Sequence, residues 1–361
     1  MQTLRYGVIG CGRVSARHIQ CADEMEHTTL AALVDPDTAK AERFAAEAKS
    51  SPTVYADYGA MLADDVVDVV VICVPTQMHA AVATAAAAAG KHIYCEKAMA
   101  PTLADCRAMI RAADDAGVKL NIGQSTRFQV PFVQARRVVE AGRIGEVIAV
   151  DGAFPGTATT PDSVPADFWR FKAGAQGHGY VVNFGCHYVD AARYICGDDP
   201  AQVSAFIGNR FSAGQIPEDQ FVITAVCHGG TIITIGMYCA PTHTPMRTNG
   251  FVVHGTEGIL EAYWRPGGVT LTLGSQEPEP VDFDDDLAVD SWLRFHRQFR
   301  DCILEDTDPP VSGRDGMLNV EWALAAYLAH ERRAWMDLPL GPEFYEYGGP
   351  KLYREVPAGG Q

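Results

Sequence analysis

The chain has 361 residues, of which 47% are apolar, and a formal net charge of -16. This length exceeds the size at which a single hydrophobic core stops growing, so we predict two domains. Nucleic acid is an unfavourable partner, because the negative charge repels phosphate backbones and no basic cluster with interleaved aromatic residues offsets it.

The first third of the chain alternates between apolar runs and amphipathic stretches. A strand from Tyr6 to Gly10 is followed by glycines and by a predicted helix from Val14 to Ala22. Strands alternating with helices predict a parallel sheet, and we place the end of this domain near residue 125. The further predicted elements are strand 30–34, helix 38–48, strand 66–74, helix 78–89, strand 92–95, a helix to 116 behind a capping box at Thr102 and Asp105, and strand 118–123.

The pattern changes after Ile144 to longer runs of alternating apolar and polar residues, which predict antiparallel strands. Gly229 and Gly230 separate two such runs, and a two-residue hairpin turn would join them because glycine tolerates positive φ angles. Helices at 290–304 and 317–335 close the chain. The predicted strands are 147–154, 202–210, 221–228, 231–238, 251–254, 259–264 and 269–273.

The cysteines and the first residues of the chain indicate the cellular compartment of the protein. The ten cysteines never form a Cys-x-x-Cys pair, and most lie in apolar runs where a thiol packs as a small hydrophobe. We therefore expect a reducing cytoplasm and no metal site. The first strand begins by Arg5, which leaves no room for a signal peptide, and no apolar run is long enough to cross a bilayer.

A glycine-rich loop follows the first strand and opens the first helix. Its residues Gly10, Cys11, Gly12, Arg13, Val14 and Ser15 allow a tight turn whose backbone N–H groups meet a pyrophosphate at the helix N-terminus. Asp35 ends the second strand, where an acid binds the ribose hydroxyls and repels a 2'-phosphate. NAD is therefore predicted and NADP is less favoured. In the alternative interpretation the glycines only shape a turn and Asp35 caps the next helix.

Two segments carry candidate catalytic side chains. Lys97 follows Cys95 and Glu96 just past the carboxyl end of a parallel strand, where open α/β sheets form their ligand crevice. The alternative is an unreactive surface lysine.

The second segment is a later helix on which polar residues are predicted to form a stripe. On an α-helix, Asn183, His187, Asp190 and Tyr194 fall within an arc of roughly 60°, so the stripe must face water or a cleft. A histidine satisfied within a structural hydrogen-bond network is the alternative. The glycines before this helix, at 174, 177 and 179, suggest a backbone that another group approaches closely.

Several stretches together resemble one family of enzymes. They are the Gly10 loop, Asp35-Pro36-Asp37, Val74-Pro75-Thr76 with His79, Cys95-Glu96-Lys97, Arg127-Phe128, Trp169-Arg170 and Gly185-x-His187-x-x-Asp190. With these residues the chain resembles, over nearly its whole length, the glucose-fructose oxidoreductase and inositol dehydrogenase (Gfo/Idh/MocA) family of NAD(P)-dependent enzymes. The stretches are specific to the family but not to a substrate.

The resemblance implies an architecture and a chemistry. It implies an α/β fold with a Rossmann domain at 1–125 and a second α/β domain at 126–361, whose large, mostly antiparallel open sheet often mediates dimers or tetramers. It implies sugar or polyol substrates. It also adds Val74, Pro75, Thr76, His79, Glu96, Lys97, Trp169 and Arg170 as cofactor-pocket residues, with Arg127 near the mouth of the substrate pocket.

The chain departs from the family pattern at two positions. Ala98 stands where the family usually has proline after the lysine, and a cis bond before alanine would cost about 2.5–4 kcal/mol, so we predict a trans or a visibly strained bond. Asn183 stands where many relatives carry aspartate. Asparagine can orient His187 but cannot stabilise its imidazolium by charge.

These residues support a hypothesis for the reaction. Lys97 would stabilise the developing alkoxide of a substrate hydroxyl, while His187 accepts its proton as hydride passes to nicotinamide. Asn183 and Asp190 would position the histidine or other substrate hydroxyls, together with Arg127. For Trp169, ordinary core packing is the alternative. The candidate pocket contains no cluster of lysine and arginine, which favours a neutral sugar, glycoside or cyclitol over a sugar phosphate.

Other functions remain open on the sequence. Asn183 also suits a nucleotide-sugar or amino-sugar dehydrogenase. A protein that senses a sugar or the cofactor without turnover is a second alternative, although the presence of Lys97 and His187 counts against it. A reaction on an imine is a third alternative, and it would not need His187.

Overall fold

The structure is a computed structural model that describes residues 2–157, 179–209, 218–240, 249–264 and 267–349. The chain divides into two compact units. The first unit comprises Met1–Ser125 and Val289–Leu318, and the second comprises Thr126–Ala288 and Asn319–Gln361. The sequence placed all residues after 125 in the second domain. The structure instead returns 289–318 to the first unit, because long-range packing decides where a late helix belongs.

The first unit contains a six-stranded parallel sheet in the order β3-β2-β1-β4-β5-β6. The predicted Rossmann architecture is confirmed. β3 and α3 lie in a stretch where no element was predicted. The strands are β1 Leu4–Ile9, β2 Thr28–Val34, β3 Thr53–Tyr55, β4 Val69–Ile72, β5 His92–Cys95 and β6 Leu120–Ile122, and the helices are α1 Ser15–Glu24, α2 Thr38–Glu47, α3 Tyr58–Ala63, α4 His79–Ala88 and α5 Leu103–Ala116.

Local chemistry explains these elements. All four residues of β4 are apolar and buried, as expected of a parallel strand covered on both faces. Helix α5 begins at the predicted capping box, where the Thr102 hydroxyl accepts the Asp105 N–H at 3.1 Å. It ends at Gly117, whose φ of 66° suits glycine.

The second unit contains a nine-stranded sheet in the order β14-β13-β12-β11-β7-β10-β9-β8-β15. It is mostly antiparallel, as predicted, but β7 and β10 pair in parallel. Alternation of side chains does not reveal strand direction, so the sequence did not predict this parallel pair. Helix α6 was also not predicted. The elements in this part of the chain are α6 Val130–Glu140, β7 Val147–Thr157, α7 Cys186–Cys196, β8 Pro200–Gly208, β9 Gln220–Cys227, β10 Ile232–Ala240, β11 Gly250–Gly255, β12 Gly258–Tyr263, β13 Gly268–Leu273, β14 Glu279–Pro280 and β15 Met336–Asp337.

The predicted hairpin at Gly229-Gly230 joins β9 to β10. Gly230 has a φ of 95°, a conformation that favours glycine. Its N–H donates to the Cys227 carbonyl at 3.0 Å, and Cys227 N–H donates to the Thr231 carbonyl. The turn therefore spans His228 to Gly230, longer than the predicted two residues.

Two late helices complete the chain: α8 covers Ser291–Leu304 and α9 covers Gly313–Arg332. In the first unit, Phe295 and Phe299 of α8 pack against Tyr94 of β5, with ring centroids 5.3 and 5.7 Å apart. Helix α8 thereby completes the core beside the strand that leads to Lys97. Within the described ranges, no helix has the length and apolar character needed to cross a membrane.

Candidate functional site

The glycine-rich loop has the geometry that a dinucleotide loop requires. Gly10 has a φ of 92°, and a Cβ there would lie 2.7 Å from the Cys73 carbonyl oxygen, so only glycine fits. A Cβ on Gly12 would meet nothing within 4 Å, so its backbone faces open space. Ser15 begins α1 and donates its hydroxyl hydrogen to the Gly12 carbonyl at 2.6 Å. The loop can therefore bring its N–H groups close to a phosphate.

Asp35 is tied directly to this loop. Its Oδ2 accepts the Cys11 N–H at 2.9 Å, and its Oδ1 accepts the Asp37 N–H at 2.9 Å. Asp37, not Asp35, is the N-cap residue of α2. Burial and the Asp35 charge raise the pKa of the Cys11 thiol to about 12, so this thiol is protonated at neutral pH. A carboxylate at this place suits ribose hydroxyls and disfavours a 2'-phosphate.

The remaining loop residues differ in exposure. Arg13 is exposed and Val14 is half-buried, while Val74, Pro75 and Thr76 lie half-buried between β4 and α4. His79 at the start of α4 is buried. Its Nε2 lies 2.9 Å from the Val74 carbonyl oxygen. Contact of these residues with a cofactor stays a prediction.

His79 also touches the segment after Lys97. Its Nδ1 lies 3.0 Å from the Ala98 carbonyl oxygen and 3.2 Å from that of Met99. Burial lowers the pKa of His79. The Lys97–Ala98 bond is cis. The prediction allowed a trans or a visibly strained bond, and its trans alternative is wrong. Ala98 and Met99 are both buried, and the residue type at 98 does not reveal the conformation of the bond before it.

Glu96 and Lys97 form the centre of the candidate site in the first unit. Glu96 is only 7% exposed. Its Oε1 lies 2.9 Å from His18 Nε2, and its Oε2 accepts the Lys97 N–H at 3.2 Å. Burial alone would raise the pKa of Glu96, but the His18 hydrogen bond and the charge of Lys97 hold this pKa below its usual range. A buried carboxylate therefore lies beside the half-buried Lys97.

In the second unit, Asn183 and His187 lie on consecutive but different helical segments. Asn183 belongs to a π-helical turn, Val181–Gly185, and His187 lies in the first turn of α7. The predicted α-helical arc therefore does not apply to Asn183, because a π turn advances differently around the axis. Both side chains are half-buried. Their roles as base and orienting residue stay predictions.

Asp190 is not part of a stripe that faces water, because its side chain is completely buried. Its Oδ2 accepts Arg127 Nε–H at 2.7 Å, and its Oδ1 accepts Arg127 Nη2–H at 2.5 Å. Asn319 Nδ2 donates to the same Oδ1 at 2.7 Å. The structure thus brings Arg127 and Asp190 together as a buried bidentate ion pair. A direct contact of either side chain with substrate stays a prediction.

A buried carboxylate anchors the start of the π turn. Glu218 Oε1 accepts the Val181 N–H at 2.9 Å and the Tyr327 hydroxyl hydrogen at 2.5 Å. A Cβ on Gly179 would overlap this carboxylate, so the predicted close approach at Gly179 is confirmed. Trp169, Arg170, Gly174 and Gly177 lie outside the described residues.

Four buried residues were missed from the sequence: His18 and His296 in the first unit, and Glu218 and Asn319 in the second. His18 lies on the apolar face of α1, among Ser15, Ile19 and Ala22, and this position was its only local signal. The other three are distant along the chain from the groups they contact, so no periodicity could identify them.

Comparison with known proteins identifies the family. Residues 4–124 match the oxidoreductase family with an NAD-binding Rossmann fold, and residues 132–261 match the GFO/IDH/MocA C-terminal domain. Inositol 2-dehydrogenase of Salmonella typhimurium is 32% identical, in an alignment of 364 positions that covers 95% of this chain and 100% of the relative. The chain belongs to the GFO/IDH/MocA family of oxidoreductases.

Solved structures of similar proteins agree with this assignment. The aldose-aldose oxidoreductase from Caulobacter crescentus, complexed with glycerol, is 28% identical, with a TM-score of 0.82 over 93% of this chain and 100% of that one. Levoglucosan dehydrogenase with NADH and levoglucosan is 21% identical, with a TM-score of 0.84 over 94% and 100%, and shows the shared fold. This GFO/IDH/MocA protein is thus an oxidoreductase with an NAD-binding Rossmann domain.

Proposed function

We propose that this GFO/IDH/MocA protein is an NAD-dependent dehydrogenase that reversibly oxidises a secondary hydroxyl of a sugar, glycoside or cyclitol to a ketone. The observation that carries the proposal is the buried Glu96 carboxylate beside Lys97, at the end of a strand in the NAD-binding domain. Relatives named inositol 2-dehydrogenase and 1,5-anhydro-D-fructose reductase support a polyol or sugar substrate.

The residues of the glycine-rich loop fit the cofactor. Gly10 makes the turn, Gly12 leaves open space beside the backbone, and Asp35 holds a carboxylate next to the loop. These residues would hold the pyrophosphate and the adenosine ribose, and the Asp35 charge would disfavour NADP. When bound, NAD supplies the hydride acceptor.

Lys97 and His187 supply the proton chemistry in this proposal. The Lys97 ammonium donates a hydrogen bond to the reacting hydroxyl and stabilises negative charge on its oxygen. His187 accepts the proton, and Asn183 orients the imidazole without adding charge. The Glu96 carboxylate places a negative charge beside Lys97.

The pairing of the Arg127 guanidinium with Asp190 supports a neutral substrate. Asp190 binds its guanidinium through two hydrogen bonds, and the Arg127 side chain is only 8% exposed. A guanidinium engaged in this way is a poor ligand for a substrate phosphate, because it would have to give up a buried carboxylate.

The test offers NAD and NADP separately with inositols, free sugars, glycosides and nucleotide sugars, and follows the reduced-nicotinamide absorbance. We expect NADH to form with a neutral sugar or polyol, and NADP to be reduced more slowly. Reduction with nucleotide sugars alone would establish the nucleotide-sugar alternative. If no compound of the panel reduces NAD, although calorimetry shows that NAD binds, the dehydrogenase proposal is rejected and a sensor is favoured.

We further propose that the protein is a homodimer or homotetramer formed through the open face of the second sheet. Strand register places Phe206, Ile232, Tyr238 and Ile259 on this face. All four are exposed, Phe206 by 79% of its surface. Residues on the opposite face of the same strands, such as Ile223 and Phe251, are buried. Exposed apolar side chains of this size on one sheet face favour an interaction surface there.

Replacing Phe206 with glutamate is expected to shift the protein to a smaller species at micromolar concentration, because the charge would be buried at the interface. Sedimentation velocity measures the change. Phe283→Glu is the matched control, since Phe283 is 41% exposed but lies outside the sheet. A wild-type protein that sediments as a monomer would overturn this proposal.

A further inference from the structure

A buried histidine pair stands behind Glu96 in the first unit. His18 of α1 and His296 of α8 are both completely buried. His18 Nε2 lies 2.9 Å from Glu96 Oε1, and His18 Nδ1 lies 2.9 Å from His296 Nε2. Glu96, His18 and His296 therefore form a continuous hydrogen-bonded chain from α8 to the residue before Lys97.

Aromatic rings enclose this chain. Tyr94 stacks on His296 at a centroid distance of 4.7 Å and meets the edge of His18 at 5.0 Å. Trp292 packs edge-on against His18 at 5.1 Å. A Cβ on Gly123 would lie 2.9 Å from Glu96 Oε1, so the backbone also confines the carboxylate. These rings and the Gly123 backbone surround the two imidazoles and the carboxylate.

The distances restrict where the hydrogens lie. His18 must carry a hydrogen on Nε2, because that nitrogen faces a carboxylate oxygen. One hydrogen lies between His18 Nδ1 and His296 Nε2. Among the described residues, the buried Nδ1 of His296 has no hydrogen-bond partner. Burial holds the pKa of His296 well below its usual value, so this ring is neutral.

Two arrangements satisfy these conditions, and they differ in energy. If His18 Nδ1 carried the shared hydrogen, His18 would be a buried cation and neutral His296 would point an N–H at no acceptor. If His296 Nε2 carries the shared hydrogen, both rings are neutral, and only the lone pair on His296 Nδ1 lacks a hydrogen-bond donor. The second arrangement is favoured, because buried N–H groups without acceptors are rarer than under-used acceptors.

We propose that His18 and His296 are positioning residues for Lys97. His296 Nε2–H holds His18 in its Nε2–H tautomer, His18 holds the Glu96 carboxylate, and the carboxylate holds the Lys97 N–H. Hydrogen-bond partners one shell behind a reactive group fix its tautomer and orientation in the same way. The effect on turnover rests on the proposed dehydrogenase function, whereas the tautomers do not.

The test compares two substitutions of His296 in the full-length protein. Glutamine can still donate an amide N–H toward His18 Nδ1, while leucine fills similar space and cannot. We expect His296→Leu to lower kcat by about 10–100-fold with little change in KM, as for other outer-shell partners, and His296→Gln to recover most of the loss. Imidazole ¹⁵N spectra should show Nε2–H tautomers for His18 and His296 in the wild type.

The control is His92, whose Nδ1 accepts the Lys119 N–H at 3.0 Å, outside this chain of contacts. His92→Gln should leave the His18 signals and kcat unchanged. A hydrogen on His18 Nδ1 in the wild type, or equal kcat for the leucine and glutamine variants, would overturn the proposal. The wild-type spectra need no variant to fold. If they show the expected tautomers but no substrate is oxidised, the proposed function fails and the hydrogen-bonded chain stands.

Discussion

Replacing Lys97 with methionine is expected to lower kcat by about 10²–10³-fold, the range for removing one preorganised donor to a developing oxyanion. Methionine keeps most of the side-chain volume and removes the charge. The Lys97 backbone N–H still donates to Glu96, because the substitution leaves the backbone unchanged. The loss should therefore fall on turnover and not on folding. Stopped-flow absorbance with a substrate found in the panel measures it.

Lys49→Met is the control for the loss of a lysine charge, since the Lys49 side chain is 72% exposed. We expect its kcat to match the wild type. Calorimetric titration with NAD should give similar affinities for both variants. Full turnover by Lys97→Met, with NAD bound, would show that another group stabilises the alkoxide.

Asp190→Leu is expected to destabilise the protein by about 3–5 kcal/mol, because it leaves a buried guanidinium without its carboxylate. The Asp190 side chain is 0% exposed and that of Arg127 is 8% exposed, so water cannot easily replace the lost charge. Asn319 also loses the acceptor of its amide. Urea unfolding, followed by circular dichroism, measures the change in the free energy of unfolding.

Two further variants test whether the loss of stability in Asp190→Leu comes from the unpaired charge or from lost packing. Asp284→Asn removes a carboxylate from Arg137 on the surface, where the side chains are 36% and 53% exposed, and should cost less than about 1 kcal/mol. Combining Arg127→Met with Asp190→Leu should recover much of the stability, since both charges of the buried pair are then removed. An equal loss in the double variant would indicate that packing, not charge, holds this part of the second unit.

Features that depend on neighbouring residues could be predicted from the sequence. Gly10 and Gly12 lie between a strand and a helix, and the structure shows the positive φ and the open backbone that this placement implies. The capping box at Thr102 formed as expected. The glycine pair at 229 and 230 predicted a hairpin but not its length. In each case the physical cause acts over a few residues.

The sequence predicted the positions of the candidate site residues only in part. Asp35 and Glu96 lie where strand ends were predicted, because the carboxyl ends of parallel strands share one edge of a sheet. Asp190 was predicted on a polar stripe, yet it is buried by Arg127 and Asn319. Helical periodicity identifies a face but does not identify what covers it.

The sequence by itself determined the family, the parallel sheet and the loop that suits NAD, since glycine placement, capping and apolar periodicity are local properties of the chain. Only the tertiary structure decided the cis bond at Lys97–Ala98 and the hydrogen-bonded chain through His18 and His296. His18 and His296 are 278 positions apart. Their contact depends on the return of α8 to the first unit, and packing over such a separation leaves no periodic signal in the sequence.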